Sequence, residues 1–397
     1  MGIKLTLLII TIWFSHFPKY FNYNLNISFP FNIQGDIPII TLYFPERMSP
    51  LLLPLNTAIP FTYLTHQDYI NFVNPEPDIS FNNNNITLLH KEYEYIIKSP
   101  QLYSSPSTLV LPSYSFYVLK MNTTSSYMKG VSLSPLYDNI SFISQLKSNN
   151  LINEMQFTFD IHNQQIHFGK VDIKHKKSFR LHIDNSNNNN NSNLWGNNIL
   201  KISSSIYRDK YIDLNKYVYF NTASMNMFDS CEFYLYLVKK LLKDAIDNNE
   251  CSYYENISSQ DVITCKYEIL ERYGNIEFEF DEGVISVPLV KFFNRGSTNT
   301  KKVVNSKFYC DTYVNSVYDH KVFGFNFLAL FDYAKFDLDN KMIYLYSNDN
   351  AVEFKQYNNN KEMKYVYIKI IFSMIILMNF IWVLMLIYIK LTHNIII

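Results

Sequence analysis

A short internal repeat places the tripeptide Asn-Thr-Ala after an apolar segment once in each half of the chain. The first copy, Asn56-Thr57-Ala58, follows Leu51–Leu55, and the second, Asn221-Thr222-Ala223, follows Tyr217–Phe220. Recurrence of a strand-and-turn unit indicates a chain built from two similar halves. We therefore predict two β lobes, each carrying one such loop early in its sequence.

Most of the remaining sequence is typical of short β-strands. Aromatic residues make up 17% of the chain, which excludes a disordered or coiled-coil protein. Segments rich in β-branched and aromatic residues and bounded by turn formers predict strands. Besides the two segments above, these are Ile37–Phe44, Phe61–Leu64, Gln156–Ile161, Asn275–Phe280, Val284–Val287 and Lys341–Tyr346. The fold class is therefore predicted to be mainly β.

Few helices are expected within this β body. Apolar residues at helical spacing predict helices over Ile140–Asn149 and Cys231–Ile246. Asp229 and Glu232 are spaced as in a capping box at the start of the second helix. The Asn-rich segment 185–195 lacks apolar area to bury, so we predict an exposed loop between an amino-terminal lobe, 24–184, and a carboxy-terminal lobe, 196–350.

Composition argues against several classes of partner. Lys+Arg and Asp+Glu both number 35, so the chain has no net positive charge to attract nucleic acid. Only 9 glycines occur, and no glycine-rich phosphate-binding motif is found. The spacing of His162 and His167 does not suit a metal site, and we expect them on a surface hairpin. We predict no cofactor and no bound metal.

The amino-terminal end is typical of a signal peptide. Lys4 precedes an apolar run over Leu5–Phe14, and we assign residues 1–18 to the signal. Two alternatives are an uncleaved buried segment and an N-myristoylation site at Gly2, because the first residues also fit that consensus.

The carboxy-terminal end predicts a transmembrane helix. Ile370–Ile389 contains no charged residue, and at about 1.5 Å per residue a helix of this length spans a bilayer core of about 30 Å. A short tail, 390–397, follows. Lys361, Lys364 and Lys369 favour a cytoplasmic body by the positive-inside rule, whereas the signal peptide favours the opposite. We follow the signal peptide and expect a single-pass protein, in the secretory pathway or at the cell surface, with a luminal or extracellular body.

Four cysteines lie between the middle of the chain and this predicted anchor, namely Cys231, Cys251, Cys265 and Cys310. In a secretory compartment such cysteines pair as disulfides. Three connectivities exist, and we predict Cys231–Cys251 and Cys265–Cys310 because neighbours in sequence are favoured as neighbours in space. Reduced, buried cysteines are the alternative.

Several segments in combination resemble the pepsin-like aspartic proteases. Val322–Leu328 and Phe336–Lys341 are similar to the family's I-L-G-D-x-F-L segment and its F-D-x-x-N-x-(K/R) continuation. In the first half, Phe142–Ile152 and Phe157–Asp172 resemble the S-F-x-x-Q-L-x-x-x-G-x-I and F-G-x-x-D segments. The resemblance covers Gly35–Asn348 and implies a bilobal pepsin-like fold. With a signal peptide and an anchor, the chain looks closest to the membrane-anchored plasmepsins and more distantly to the memapsin group. The soluble plasmepsins are the runner-up.

The resemblance assigns roles to the repeated loops. In the family each lobe carries an apolar strand ending in Asp-Thr/Ser-Gly, and the two Asp side chains meet at the lobe interface. The matching residues are Asn56 and Asn221 at the catalytic positions, Thr57 and Thr222 beside them, Ala58 and Ala223 where the family has Gly, and Gly324 at the ψ-loop glycine. The alternative is that Asn56 and Asn221 are ordinary turn residues of an Asn-rich chain.

Two amides cannot perform the family's chemistry. Aspartic proteolysis needs two carboxylates that share one proton, whereas an amide has no proton to exchange near neutral pH. The expected function is therefore that of a pseudoprotease that binds a peptide or protein in or near the inter-lobe cleft, with the lipid bilayer as a second partner through its helix.

Two other functions are carried as alternatives. One is an active membrane-bound aspartic endopeptidase that uses other carboxylates, for which Asp36, Asp68 and Asp229 are candidates. The other is a structural surface protein of unrelated β-sandwich fold. Tyr93, Tyr95 and Tyr103 are the candidates for the tyrosine of the family's flap hairpin.

Overall fold

The structure, a computed structural model, describes residues 27–42, 51–59, 62–65, 93–99, 102–103, 110–111, 114–119, 130–135, 141–174, 177–183, 194–224, 227–254, 262–295, 303–306, 321–357, 374 and 378. The predicted signal peptide lies outside these residues. Of the predicted transmembrane helix, Met374 and Met378 are described, and both are helical. Within the described part of the chain, no helix is long and apolar enough to cross a bilayer.

Strands dominate the described residues, which confirms the prediction of a mainly β fold. In chain order they are β1 Ile27–Gln34, β2 Ile37–Leu42, β3 Leu51–Asn56, β4 Tyr63–Thr65, β5 Tyr93–Ser99, β6 Leu102–Tyr103, β7 Val110–Leu111, β8 Tyr114–Leu119, β9 Val131–Ser132, β10 Gln156–Asp160, β11 Gln165–Phe168, β12 Ser178–His182, β13 Gly196–Ser204, β14 Tyr211–Asn221, β15 Phe228–Asp229, β16 Cys251–Tyr254, β17 Val262–Lys266, β18 Asn275–Phe280, β19 Gly283–Pro288, β20 Phe293–Arg295, β21 Val303–Ser306, β22 Lys321–Gly324, β23 Tyr333–Asp337, β24 Met342–Tyr346 and β25 Glu353–Gln356.

The helices whose bounds are described are short. They are α1 Phe142–Ser148, α2 Cys231–Tyr236, α3 Lys243–Asp247, α4 Tyr267–Glu271 and α5 Phe325–Leu328, with a π-helical turn at Leu237–Leu241 and a 3₁₀ turn at Leu289–Phe292. The predicted helix Cys231–Ile246 is thus broken into α2, the π turn and α3. At the break the N–H of Leu242 donates to the carbonyl of Leu237 at 2.7 Å, a bond one residue longer than the α-helical spacing.

The start of α2 differs from the predicted capping box. Its N-cap is Ser230, one residue after Asp229, and the Ser230 Oγ accepts the backbone N–H of Phe233 at 3.3 Å. Ser230 has extended backbone angles, as an N-cap residue requires. The predicted pairing of Asp229 with Glu232 is therefore wrong.

Two large sheets organise the chain up to Lys355, which forms one compact unit, whereas Gln356–Ile397 forms a second. The nine-stranded sheet has the order β12-β24-β23-β10-β11-β1-β2-β3-β9. The seven-stranded sheet has the order β15-β22-β14-β13-β18-β19-β25. Smaller sheets are β16-β17-β21-β20, β4-β8-β5 and β6-β7. Alternating buried and partly buried residues in strands such as β18 place one face of the sheet on the core.

Both halves of the chain contribute to the nine-stranded sheet. Its centre pairs β10 from the first half with β23 from the second, in antiparallel register with Phe157 opposite Phe336. The two rings stack at 4.8 Å between centroids and are fully buried. Because this contact forms only when both halves are present, the core is shared between them.

The same hairpin turn occurs once in each half. Asp160 at the end of β10 accepts the backbone N–H and the side-chain amide of Asn163 at 3.0 and 2.8 Å. Asp337 at the end of β23 accepts the same two groups of Asn340, both at 3.0 Å. The residue after each Asn has a positive φ, 50° and 53°. The two halves therefore repeat a local structure far from the Asn-Thr-Ala loops.

Trp195 corrects the predicted boundary of the exposed loop 185–195. Its side chain is completely buried, with centroids 5.6 Å from Phe157 and 5.1 Å from Phe336. Its indole Nε1–H donates to the carbonyl of Leu133 at 2.6 Å. The loop thus ends before Trp195, because a large aromatic ring with a polar edge is stabilised by burial next to an acceptor. Residues 185–193 lie outside the described residues.

The predicted disulfide pairing is also wrong. Cys251 and Cys265 lie directly opposite each other on the antiparallel strands β16 and β17, with Cα atoms 4.1 Å apart, and form a disulfide. Cys231 is disulfide-bonded as well, and Cys310 lies outside the described residues. Hairpin formation brings Cys251 and Cys265 together more directly than the helix between Cys231 and Cys251 allows.

Candidate functional site

Each Asn-Thr-Ala loop begins where a strand ends beside a parallel neighbour. Asn56 is the last residue of β3 and lies opposite Ser132 of β9. Asn221 is the last residue of β14 and lies opposite Gly324 of β22. Parallel pairs are rare among these otherwise antiparallel sheets, so the two loops share a distinctive local architecture.

The two loops contact each other through their threonines. The Oγ1 of Thr57 donates to the carbonyl of Phe220 at 2.7 Å and accepts the backbone N–H of Thr222 at 3.1 Å. The Oγ1 of Thr222 donates to the carbonyl of Leu55 at 2.5 Å and accepts the backbone N–H of Thr57 at 3.2 Å. Both threonines are 0% exposed. This reciprocal set of hydrogen bonds brings the two halves of the repeat to one place.

The asparagine oxygens face their own turns. Asn56 is 1% exposed, and its Oδ1 accepts the backbone N–H groups of Ala58 at 2.9 Å and Ile59 at 3.2 Å. Asn221 is partly exposed, and its Oδ1 accepts the N–H of Ala223 at 3.0 Å. These are Asx-type turns, in which a side-chain oxygen substitutes for a backbone acceptor. The two side-chain amides are therefore oriented by the backbone.

The first loop is supported from behind by β9. The backbone N–H of Ser132 donates to the Thr62 Oγ1 at 3.1 Å, and the Ser132 Oγ donates to the carbonyl of Ile59 at 2.8 Å. Gly130, just before β9, has φ +152°, and a Cβ there would lie 2.6 Å from the carbonyl oxygen of Pro54. Glycine is needed at this position because β9 approaches β3 too closely for a side chain.

Aromatic rings fill the space behind the second loop. Phe323, on β22, stacks on Phe327 at 3.9 Å, on Phe228 at 4.6 Å and on Phe220 at 5.4 Å between centroids. Gly324 follows Phe323 and precedes α5, and its N–H donates to the carbonyl of Met227 at 3.3 Å. The predicted ψ-loop glycine thus lies beside Asn221, at the end of a strand fixed by this cluster.

A partly buried ion pair lies at the other end of β22. The Lys321 Nζ is 2.6 Å from the Glu232 Oε2, and the Lys216 Nζ is 3.1 Å from the Glu232 Oε1. The Lys321 side chain is 3% exposed. Burial opposes ionisation of Glu232, but hydrogen bonds and attraction from the two lysines outweigh it and hold the pKa of the carboxyl below its ordinary value. Sequence inspection missed this group because its members are far apart in the chain.

Other predicted candidates lie away from the loops or are not described. Asp36 lies in the exposed turn between β1 and β2, with φ 65°. Asp68 and the side chain of Asp229 lie outside the described residues, as do the side chains of Tyr93, Tyr95 and Tyr103. The β10–β11 hairpin carries His162 and His167, as predicted.

His167 forms a local contact rather than a metal site. Its Nδ1 lies 2.6 Å from the Ser28 Oγ, and its Nε2 lies 3.9 Å from an Asp160 oxygen. Burial lowers the pKa of His167, and the neighbouring Asp160 offsets only part of this effect. In the described part of the chain, no group of three or more His, Cys, Asp or Glu side chains is arranged to hold a metal ion.

A groove of about 940 Å³ lies elsewhere, lined mainly by the second half together with Ile161 and His162 of the first. It runs between α4, the 3₁₀ turn Leu289–Phe292 and residues 326–332. None of the Asn-Thr-Ala residues lines it.

The polar side chains of the two Asn-Thr-Ala loops are amides and hydroxyls, which donate and accept hydrogen bonds but do not ionise near neutral pH.

Comparison of the sequence and structure with known proteins identifies the fold of this chain. No protein-family model and no curated protein matches the sequence. Among solved structures, the crystal structure of the aspartic proteinase from Irpex lacteus matches with a TM-score of 0.59 over 82% of this chain and 98% of that chain, at 13% sequence identity. This chain has a pepsin-like aspartic proteinase fold. The fold predicted from the resemblance is therefore confirmed.

Proposed function

We propose that this protein is a catalytically inactive relative of the pepsin-like aspartic proteases that binds a peptide or protein partner in the cleft between its lobes. The observation that carries the proposal is that the two loops joined by Thr57 and Thr222 end their strands in Asn56 and Asn221. By resemblance to the family, these two positions would carry the catalytic Asp pair.

The loss of both carboxylates removes the acid and the base of the reaction. In an active pair, one carboxylate takes a proton from water and the other donates a proton to the substrate carbonyl. Each such step contributes typically about 10²–10⁴-fold to the rate. Amides supply neither step, so hydrolysis by this chain should be negligible.

The loops keep their structure without the carboxylates. The Asn56 and Asn221 oxygens accept backbone N–H groups of their own turns, as carboxylate oxygens can. The Thr57 and Thr222 hydroxyls still join the two halves. A fold that retains its inter-lobe contacts but lacks its acid–base pair is suited to binding rather than to turnover.

The proposed location is a membrane of the secretory pathway or the cell surface. The supporting features are the signal-like residues 1–18 and the uncharged segment Ile370–Ile389. Expression in a eukaryotic secretory system, followed by alkaline carbonate extraction and protease protection, tests this. Release into the soluble fraction, or a body accessible from the cytoplasm, would contradict it.

A cleavage assay separates the proposed function from its alternative, an active membrane-bound aspartic endopeptidase. The full-length protein is incubated with a peptide library from pH 3 to pH 7, and the products are identified by mass spectrometry. We expect no cleavage and no measurable affinity for pepstatin, whose hydroxyl requires a carboxylate pair. Pepstatin-sensitive cleavage would refute the proposal.

The double variant Asn56→Asp/Asn221→Asp is tested in the same cleavage assay as the wild type. It restores a carboxylate at each loop while the threonine network remains. Appearance of acid-dependent cleavage in this variant alone would support the assignment of both positions. Binding is measured separately, by selecting octapeptides from a random library on the full-length wild-type protein, and retention of specific peptides is the expected result.

A further inference from the structure

Backbone hydrogen bonds fix which end of the Asn221 side chain is available to a ligand. The N–H of Ala223 donates to the Asn221 Oδ1 at 3.0 Å. Because a backbone N–H can only donate, the oxygen must face the turn, and the Nδ2 group, bonded to the same carbon, points away from the N–H of Ala223. The backbone carbonyl of Asn221 is also engaged, since it accepts the N–H of Ser224 at 3.0 Å.

The two asparagines differ in accessibility. Asn56 is 1% exposed, with its Oδ1 held by the N–H groups of Ala58 and Ile59. Asn221 is partly exposed. Asn221 is therefore the more accessible of the two amides, and the part of it not bonded to its own turn is the NH₂ group, which donates two hydrogen bonds and accepts none.

We propose that the centre of this site is a hydrogen-bond donor that binds the carbonyl oxygen of an intact peptide bond, with Asn221 as the residue that determines this specificity. The inference rests on the proposed peptide-binding function. A carboxylate pair that shares one proton both accepts and donates hydrogen bonds, whereas the NH₂ group of Asn221 only donates, so this site lacks the acceptor that favours hydroxyl or ammonium groups.

A neutral carbonyl fits this donor better than a charged carboxylate. Burial of a carboxylate is costly unless a cation or several donors compensate it. The lysine on the adjacent strand, Lys321, is already held by Glu232 at 2.6 Å. Peptide carbonyls accept strong hydrogen bonds without a charge to desolvate, so the site selects an uncleaved main chain.

The first test needs no variant. The tightest octapeptide from the library is labelled with a fluorophore, and its affinity for the full-length wild-type protein is measured by fluorescence anisotropy. Analogues are then made in which one carbonyl at a time is replaced by a methylene group. We expect one position at which this replacement weakens binding by at least about tenfold, because the Nδ2 donor loses its acceptor.

The second test exchanges the donor for an acceptor. In Asn221→Asp at pH 7, the parent peptide should bind at least about tenfold more weakly than it binds the wild type. The analogue with a methylene group at the sensitive position contains a protonated amine, which the new carboxylate can accept a hydrogen bond from, so this analogue should become the tighter ligand. The matched control is Asn249→Asp, the same chemical change on the exposed turn after α3, where φ is 56°. The control should keep the wild-type preference.

The outcomes distinguish this inference from the proposed function. Equal affinity for the parent peptide and every methylene analogue overturns the inference, as does a preference that Asn221→Asp leaves unchanged, while peptide binding itself still stands. Failure to select any octapeptide overturns the proposed function and the inference together. Loss at one carbonyl in the wild type, with reversed preference in Asn221→Asp alone, is the supporting result.

Discussion

Replacement of Thr57 by valine should destabilise the protein strongly, although the two side chains have almost the same shape. The Thr57 hydroxyl bonds the carbonyl of Phe220 at 2.7 Å and the N–H of Thr222 at 3.1 Å, in a side chain that is 0% exposed. Valine leaves these two buried backbone groups without that partner, at about 1–3 kcal/mol each. We expect the free energy of unfolding to fall by about 2–6 kcal/mol in total.

Thr158→Val is the matched control for this experiment. Thr158 is also 0% exposed, but its Oγ1 has no hydrogen-bond partner among the described residues. Removal of an unsatisfied buried hydroxyl relieves a desolvation cost, so this variant should be unchanged or more stable by about 1 kcal/mol. Thr57→Ser keeps the hydroxyl, loses one methyl group and should cost about 1 kcal/mol.

Urea unfolding of the full-length chain, followed by tryptophan fluorescence, measures these differences in the free energy of unfolding, with one m-value fitted to all variants. The reasoning is refuted if Thr57→Val and Thr158→Val have the same effect. It is also refuted if Thr57→Ser costs as much as Thr57→Val, because stability at this position would then depend on packing rather than on the hydroxyl.

Three further predictions concern stability and its dependence on pH. Glu232→Gln should cost about 2 kcal/mol at pH 7, because Lys321 loses its charged partner. Since the folded pKa of Glu232 is lowered, its contribution is present above the unfolded pKa and disappears as pH falls through the folded pKa, so the wild type and the variant should converge in urea titrations in acid. Cys251→Ser should lower the free energy of unfolding by about 3 kcal/mol, the entropy of closing a loop of this size, and reducing agent should then have less effect on the variant than on the wild type. Trp195→Phe leaves the Leu133 carbonyl without the indole donor and should cost about 1–3 kcal/mol in thermal unfolding, with the ring packing largely retained.

Local sequence pattern was sufficient to predict individual strands and helices whose position depends mainly on their own residues. Asn275–Phe280 alternates polar and apolar residues, and β18 has the predicted bounds because one face of this strand is buried. The predicted strand Ile37–Phe44 corresponds to β2, which begins at the predicted residue, and the predicted helix Ile140–Asn149 corresponds to α1, which ends at Ser148, one residue before the predicted end. Ends are harder to predict because they depend on caps and turns.

Local sequence pattern did not predict features that depend on other parts of the structure. Cys251 pairs with Cys265 because β16 and β17 form a hairpin, which cysteine spacing does not encode. Trp195 lies next to an Asn-rich tract, yet Phe157 and Phe336 bury it from two different halves. Ser230 caps α2 in place of Asp229 because backbone geometry selects the cap.

The candidate site was partly readable from the sequence. The repeated Asn-Thr-Ala tripeptides located both loops, and the structure shows that the Thr57 and Thr222 hydroxyls join them. The orientation of the Asn221 amide was not readable, because it depends on a backbone N–H in a turn. A second repeat, Asp-x-x-Asn at Asp160 and Asp337, was present in the sequence and offered a further signal of two related halves.

The central pairing of β10 with β23 has a consequence for the chain once it is cut. A single nick between Ile183 and Leu194 would leave two fragments joined by a continuous backbone ladder and by the stacked rings of Phe157 and Phe336. Such fragments should migrate as one species under native conditions and separate only in denaturant. Each fragment alone would expose a long unpaired strand edge, so neither half is expected to be soluble when expressed by itself.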